Sequence, residues 1–474
     1  MREPDWKGPL GEALEQALTY LEGLPTRPLG PPADAADLRE ALGGPLPQHG
    51  NDPREVVAAL ARAADPGIMA SGSGRFFGFV VGGTMPAPLA ADWLAGAWDQ
   101  NAGLAVIGPA AAAVEDVTGR WLAELLGLPA GVSVGFVTGA QAATFTGLAV
   151  GLAEVLRTAG WDVVTRGLWG APPVRVLAGE DRHGTIDRAV RFLGMGTGAI
   201  EPVAADDQGR MRPDALRRAL DAGSGPVIVC AQAGNVNSGS VDDLGAICDL
   251  AHEHGGWAHV DGAFGLWAAA SPRLRHLVAG VERADSWATD AHKWLNVPYD
   301  SGVVLCAHPE AHRRVMGGRA GYLVQAGDGD RDGLDYGPDH SRRARGFAVH
   351  AALRALGRQG VADLVERSCD LARRFADRLA AVEGVEVLAD VVLNQVLVRF
   401  PGTRTGSGPG PDPDPDGDAR TRRVVERVQA EGTAWLSGTT WRGRAAMRIS
   451  VSNWSTDTAD VDAAVAAILR CAEV

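Results

Sequence analysis

Leucines and valines recur at helical spacing through the first 70 residues: Leu10, Leu14, Leu18 and Leu21, then Val56, Val57 and Leu60. A proline-rich connection from Pro25 to Pro32 separates the two sets. Steps of three and four place such side chains on one helical face, which predicts a helical N-terminal arm over 1–70, suited to packing on a partner subunit. From 71 to 350 the pattern changes to short apolar, often β-branched runs alternating with helical stretches. Strands are expected at 132–137, 174–178, 227–230, 257–260, 286–288 and 303–306, with helices at 141–156, 213–220 and 244–254. Alternation of this kind predicts a large α/β region with a mostly parallel sheet, whose ligand sites form at the carboxyl ends of the strands. Beyond 351 a helix at 364–382, strands near 385–388, 396–400 and 447–451, and a last helix at 461–469 predict a smaller C-terminal α/β region over 351–474. Inside it, residues 402–418 are rich in Gly, Pro and Asp, and a mobile surface loop is expected there. No internal repeat is visible.

One stretch, 125–153, carries no formal charge and is long enough to be confused with a membrane span. Its glycines, Pro129 and Gln141 fit a buried strand, loop and helix better. Hydrophobic residues make up 46% of the 474 and charged ones 22%, values ordinary for a globular protein. A net charge of −13 opposes binding to nucleic acid or an anionic membrane. The five cysteines, at 230, 248, 306, 369 and 471, include no Cys-x-x-Cys pair, and the first residues lack the apolar core of a secretory leader. Both suit a cytoplasmic protein. Neither a disulfide framework nor a zinc site is expected.

Charge chemistry then singles out one residue. Of 45 basic side chains only Lys7 and Lys293 are lysines. A guanidinium stays protonated, whereas a desolvated lysine amine can lose its proton and attack a carbonyl. Lys293 is therefore the first candidate for covalent chemistry. Three other features fall at strand ends. Val137-Thr-Gly-Ala-Gln-Ala-Ala-Thr144 is a small-residue turn into a helix, which offers amides to an anion or is simply a turn. Trp257-Ala-His-Val-Asp261-Gly-Ala263 ends in a carboxylate that either holds a ring nitrogen protonated or caps a loop. Asp181-Arg-His183 provides an imidazole that either stacks on a flat ring or opens a helix. Together they describe a pocket for a phosphorylated pyridine aldehyde.

The order of these pieces, ending in His292-Lys293-Trp294, resembles the group II pyridoxal-phosphate-dependent amino-acid decarboxylases, which include the aromatic-amino-acid and glutamate enzymes. The similarity extends from Arg75-Phe-Phe-Gly-Phe79 through Gly234-Asn-Val-Asn-Ser-Gly239 and Ser341-Arg-Arg-Ala-Arg345 to Arg448-Ile-Ser-Val-Ser452. The resemblance implies the type I, aspartate-aminotransferase-like fold and pyridoxal 5′-phosphate as cofactor. It implies that Lys293 condenses with the cofactor aldehyde, Asp261 pairs with the pyridine nitrogen, His183 stacks on one ring face and Ala263 lies on the other. Ala140, Gln141 and His292 would face the phosphate, with Ser341 arriving from the second subunit of a homodimer. Tyr322 stands where the family has a mobile-loop tyrosine that protonates the product.

Two departures concern the substrate. Asp290-Ala-His-Lys replaces the Asn-Pro-His-Lys of aromatic-specific members, and Phe79-Val-Val-Gly82 is less aromatic than their pocket wall. The expected reaction is decarboxylation of an L-amino acid with an aromatic or apolar side chain to a primary amine. An aldehyde-forming oxidative variant is the alternative, ahead of a carbon–carbon lyase or a non-catalytic scaffold. The histidines of Ala251-His-Glu-His-Gly-Gly-Trp-Ala-His259 lack the i, i+4 pair of a zinc helix. Gly194-Met-Gly-Thr-Gly198 lacks the context of a dinucleotide turn.

Overall fold

A computed structural model of the chain describes residues 5–318, 331–402 and 414–473. Seven strands form the larger sheet: β1 (Ser133–Val137), β2 (Arg175–Gly179), β3 (Ile200–Val203), β4 (Val227–Gln232), β5 (Trp257–Asp261), β6 (Ser286–Asp290) and β7 (Gly302–Cys306). Their order is β1-β7-β6-β5-β4-β2-β3. β7 runs antiparallel to both neighbours, and the other pairings are parallel.

The apolar runs follow from burial on both faces. In β4, Val227, Val229 and Ala231 enter one core with Leu244 and Ile247 of the Leu244–Glu253 helix. Ile228 and Cys230 enter another, with Leu148 and Leu152 of the Ala140–Thr158 helix. Side chains alternate across a strand, so helices on both faces favour apolar residues on both sides of each strand. The uncharged stretch at 125–153 is accordingly the end of one helix, β1 and most of the next helix. Among the described residues no helix is long and apolar enough to cross a membrane.

A second, antiparallel sheet has the order β10-β11-β9-β8, with β8 (Glu386–Val387), β9 (Gln395–Arg399), β10 (Ser437–Trp441) and β11 (Arg444–Ser450). Val396, Val398, Met447 and Ile449 pack there against Phe375, Val428 and Val465 from three helices. The helix Gly346–Ala380 passes through position 350, where the sequence pattern suggested a change of region. At the N-terminus, helices Lys7–Gly23, Ala35–Leu42 and Pro53–Ala64 occupy the expected arm.

Several elements were not picked out from the pattern, among them the helices Pro86–Trp98, Pro109–Leu125, Gly184–Phe192 and Pro309–Met316, and three others show why. β3 is only four residues long and contains Pro202, tolerable because it is an edge strand. β10 (Ser-Gly-Thr-Thr-Trp) alternates without an apolar run. The helix Pro415–Glu431 begins inside the segment expected to be a mobile loop. Its acidic start is fixed by Arg399, 1% exposed, which pairs with Asp414 at 3.1 Å and Asp418 at 2.5 Å. Residues 403–413 of that expected loop lie outside the described residues.

Candidate active site

The carboxyl ends of β2, β4, β5 and β6 open on one cleft of about 230 Å³. Asp261 ends β5 and is 6% exposed. Its Oδ1 accepts from Ala263 N at 3.2 Å and its Oδ2 from Thr185 Oγ1 at 3.3 Å. His183 caps the Gly184–Phe192 helix, its Nδ1 accepting from Thr185 N. The ring borders the cleft, and burial by the surrounding protein lowers its pKa, with Lys293 and Arg448 pushing the same way. The imidazole is therefore neutral at physiological pH, which suits stacking better than an imidazolium would. Gln141, at the start of the Ala140–Thr158 helix, donates to Thr185 O at 3.3 Å.

Lys293 stands in the connection between β6 and β7. Its Nζ lies 2.8 Å from Asp290 Oδ2. Asp290, the last residue of β6, is 2% exposed and accepts from Ala140 N at 2.5 Å. His292 lies beside it, Nε2 at 3.4 Å from Asp290 Oδ1, and its Nδ1 accepts from Ser301 N at 3.1 Å. Burial lowers the pKa of His292 too.

Backbone contact fixes this connection from outside. A Cβ at Gly82 would come within 2.0 Å of Lys293 O, so only glycine lets that segment lie so close. Asn296 ties three segments together: its Oδ1 accepts from Gly83 N and Trp454 N, and its Nδ2 donates to Ser452 O.

Of the residues singled out from sequence, Ala140, Gln141, His183, Asp261, Ala263, His292 and Lys293 all line the cleft. Ser341 does not. It is exposed elsewhere on the chain, accepting from Asn101 Nδ2 at 3.3 Å. Tyr322 lies outside the described residues. Sequence reasoning missed Thr185, Gln232 and Asn296. Thr185 stands two residues after His183, and that proximity was the one signal available. Gln232 is the polar end of an apolar strand and borders the cleft. Nothing in the sequence distinguishes Asn296 from other loop asparagines. Among the described residues no cluster of three or more metal-ligating side chains is present.

Residues 36–400 match the family model described as the pyridoxal-dependent decarboxylase conserved domain. The chain belongs to the pyridoxal-dependent decarboxylases. Aromatic-L-amino-acid decarboxylase of Bacillus atrophaeus is 26% identical over 457 residues, covering 95% of this chain and 92% of that protein. Cysteine sulfinic acid decarboxylase of Rattus norvegicus is 29% identical over 362 residues, covering 75% of this chain and 72% of the relative. Among solved structures, Oryza sativa TDC with PLP and tryptamine superposes with a TM-score of 0.91 at 25% identity, over 100% of this chain and 99% of that one. The fold is thus the type I fold, the cofactor is pyridoxal 5′-phosphate, and the enzyme is a carboxy-lyase acting on an amino acid.

The side chains of this decarboxylase fit that cofactor. An amine, a carboxylate and a neutral imidazole converge on one cleft, which matches an aldehyde, a pyridine nitrogen and a flat ring. The Asp290 carboxylate on Ala140 N also demonstrates that the helix start accepts an anion.

Proposed function

We propose that this decarboxylase acts on an L-amino acid with an aromatic or other apolar side chain, releasing CO₂ and a primary amine. The supporting observation is the cleft wall. Val80, Val236 and Phe264 supply its apolar surface, and among the described lining residues Lys293 is the only lysine or arginine. A substrate with a second acidic group, such as cysteine sulfinic acid, would bring a charge that this wall does not match. Beside Val80, the rings of Phe76 and Phe79 stack on Trp435 with centroids 4.8 and 5.6 Å away.

The bound cofactor supplies an electron sink for the pair left behind when the Cα–carboxylate bond breaks. Asp261 would hold the proton on its ring nitrogen, and Thr185 and Ala263 keep that carboxylate aimed. His183 and Ala263, which both line the cleft, would hold the ring in place. Arg448 stands just behind that lining and would have to reach past Val236 to take the substrate carboxylate: its Nη1 donates to Val236 O at 3.3 Å, and its Nε is buried without a hydrogen-bond partner. Tyr322 delivers a proton to Cα after CO₂ has left, which decides for amine over aldehyde.

We propose further that the enzyme is a homodimer of the cytoplasm, with Ser341 completing the site of the second copy. Leu10, Leu14 and Leu18 on one helix of the arm, and Val56 and Leu60 on another, remain 46–58% exposed in the single chain. Apolar stripes of that kind are ordinarily covered. The five cysteines are all unpaired, which agrees with a reducing compartment.

The test is to incubate the purified enzyme with each of the twenty amino acids and measure CO₂, amine, aldehyde and peroxide. Amine without peroxide from an aromatic or aliphatic substrate is expected. Turnover of an acidic amino acid alone would overturn the substrate class, and peroxide equal to aldehyde would overturn the amine outcome.

A further inference from the structure

Asp290 is a charged side chain where the protein leaves little room for one. It is buried at the end of β6, and its carboxylate takes three partners from the cleft: Ala140 N at 2.5 Å, Lys293 Nζ at 2.8 Å and His292 Nε2 at 3.4 Å. Ala140 N is the first amide of a 19-residue helix, the donor that a helix start offers to an anion. Gly139, just before it, fits closely over the same carboxylate, and a Cβ there would lie 3.3 Å from Asp290 Oδ1. The helix start therefore already holds an anion, and that anion belongs to the protein.

Charge makes this consequential. Lys293 is the only lysine or arginine among the described residues lining the cleft. A phosphate group arriving at the Ala140 amide meets a carboxylate in place. Engaging the cofactor aldehyde would also draw the Lys293 nitrogen away from the carboxylate that it now pairs with. Two anions would then share one helix start and a neutral imidazole, a repulsion that is strong away from water.

We propose that Asp290 is a positioning residue that competes with the cofactor phosphate for the Ala140 amide, so that its charge sets how tightly the phosphorylated cofactor is held. This rests on the pyridoxal-phosphate reading of the cleft. The enzyme should therefore discriminate only weakly between pyridoxal 5′-phosphate and pyridoxal, and neutralising position 290 should restore the preference.

The experiment measures dissociation constants of both aldehydes for the cofactor-free full chain, by absorbance, in the wild type, Asp290→Asn and Asp290→Glu. Asp290→Asn should bind pyridoxal 5′-phosphate at least tenfold more tightly. Loss of the Lys293 ion pair acts on both aldehydes alike, so the ratio of the two constants isolates the phosphate, and it should rise at least tenfold in Asp290→Asn. Asp290→Glu keeps the charge and should not raise it. An unchanged ratio in Asp290→Asn overturns the proposal.

Should Asp290→Asn not fold, wild-type crystal structures with and without pyridoxal 5′-phosphate decide. Ala140 N should pass from Asp290 to the phosphate on loading, and a retained Asp290–Ala140 hydrogen bond in the loaded enzyme overturns the proposal. The underlying reading is checked separately by borohydride trapping and peptide mapping. No adduct at Lys293 with either aldehyde removes the cofactor reading and this inference with it, whereas an adduct with an unchanged ratio removes only the inference.

Discussion

Asp261 and Asp290 end neighbouring strands of one sheet, yet their surroundings assign them different work. A hydroxyl and an amide steady Asp261, leaving it free to serve a ring nitrogen; an ammonium and a helix start occupy Asp290. Asp261→Asn preserves shape and removes the charge. Cofactor should still bind and colour the protein, while kcat falls about 100-fold or more, the scale of losing one electrostatic stabiliser. Tyr322→Phe should lower amine and raise aldehyde with an equal amount of peroxide, checked by product analysis. A third residue-scale effect concerns stability. His252 and His308 both reach Asp285, at 3.0 and 2.8 Å. The hydrogen bond to Asp285 raises the pKa of His252 above its ordinary value despite partial burial. A raised folded-state pKa means that this pairing stabilises fully below about pH 6 and fades as pH rises through the folded value. His252→Ala should therefore destabilise the fold more at pH 5.5 than at pH 9, by under about 1 kcal/mol because the ring is partly exposed, read as a larger drop in Tm at the lower pH. At this scale the sequence was legible where residue type carries chemistry, as with a rare lysine. It was silent on Asn296 and Thr185, whose value lies in the groups that folding places beside them.

Among the elements, legibility followed burial. Strands covered on both faces read as short, largely apolar runs, and β1, β2, β4, β5, β6 and β7 were all expected within one or two residues of their ends. β3 and β10 were not, because an edge strand with a proline and a hairpin strand of Ser, Gly and Thr carry no such run. The helix Pro415–Glu431 hid for a different reason: its start is stabilised by Arg399 from β9, a partner 15 positions from Asp414 and 19 from Asp418. Close contact between elements is the other feature that no pattern reveals. The segment at Gly82 touches the Lys293 carbonyl, so Gly82→Ala should push the two apart. A cost of about 1–3 kcal/mol is expected for such overpacking, seen as a lower Tm together with weaker cofactor retention in a dialysis assay.

For the whole molecule, the order of the cleft residues along the chain was enough to suggest the fold. Neither the arrangement of strands nor the antiparallel β7 could be read from it, because topology is set by long-range pairing. Assembly is tested at this scale. Replacing Leu14 and Leu18 together by glutamate puts two charges on the exposed stripe of the arm. On the proposed assembly, sedimentation should report a dimer for the unmodified enzyme and a monomer for the variant, and activity should fall if Ser341 must come from a second copy. Far-ultraviolet circular dichroism should stay unchanged, because neither leucine is buried within its own chain.

The position of Lys293 between β6 and the reversed β7 has a mechanical corollary. Asp290 and Gly302, the residues on either side of that connection, are themselves register partners, so the backbone carrying the amine is stapled at its base. Moving the nitrogen from the aspartate towards an incoming carbonyl then asks for side-chain torsions and release of the Asp290 ion pair, with the backbone held where it is. The nucleophile swings from a fixed base.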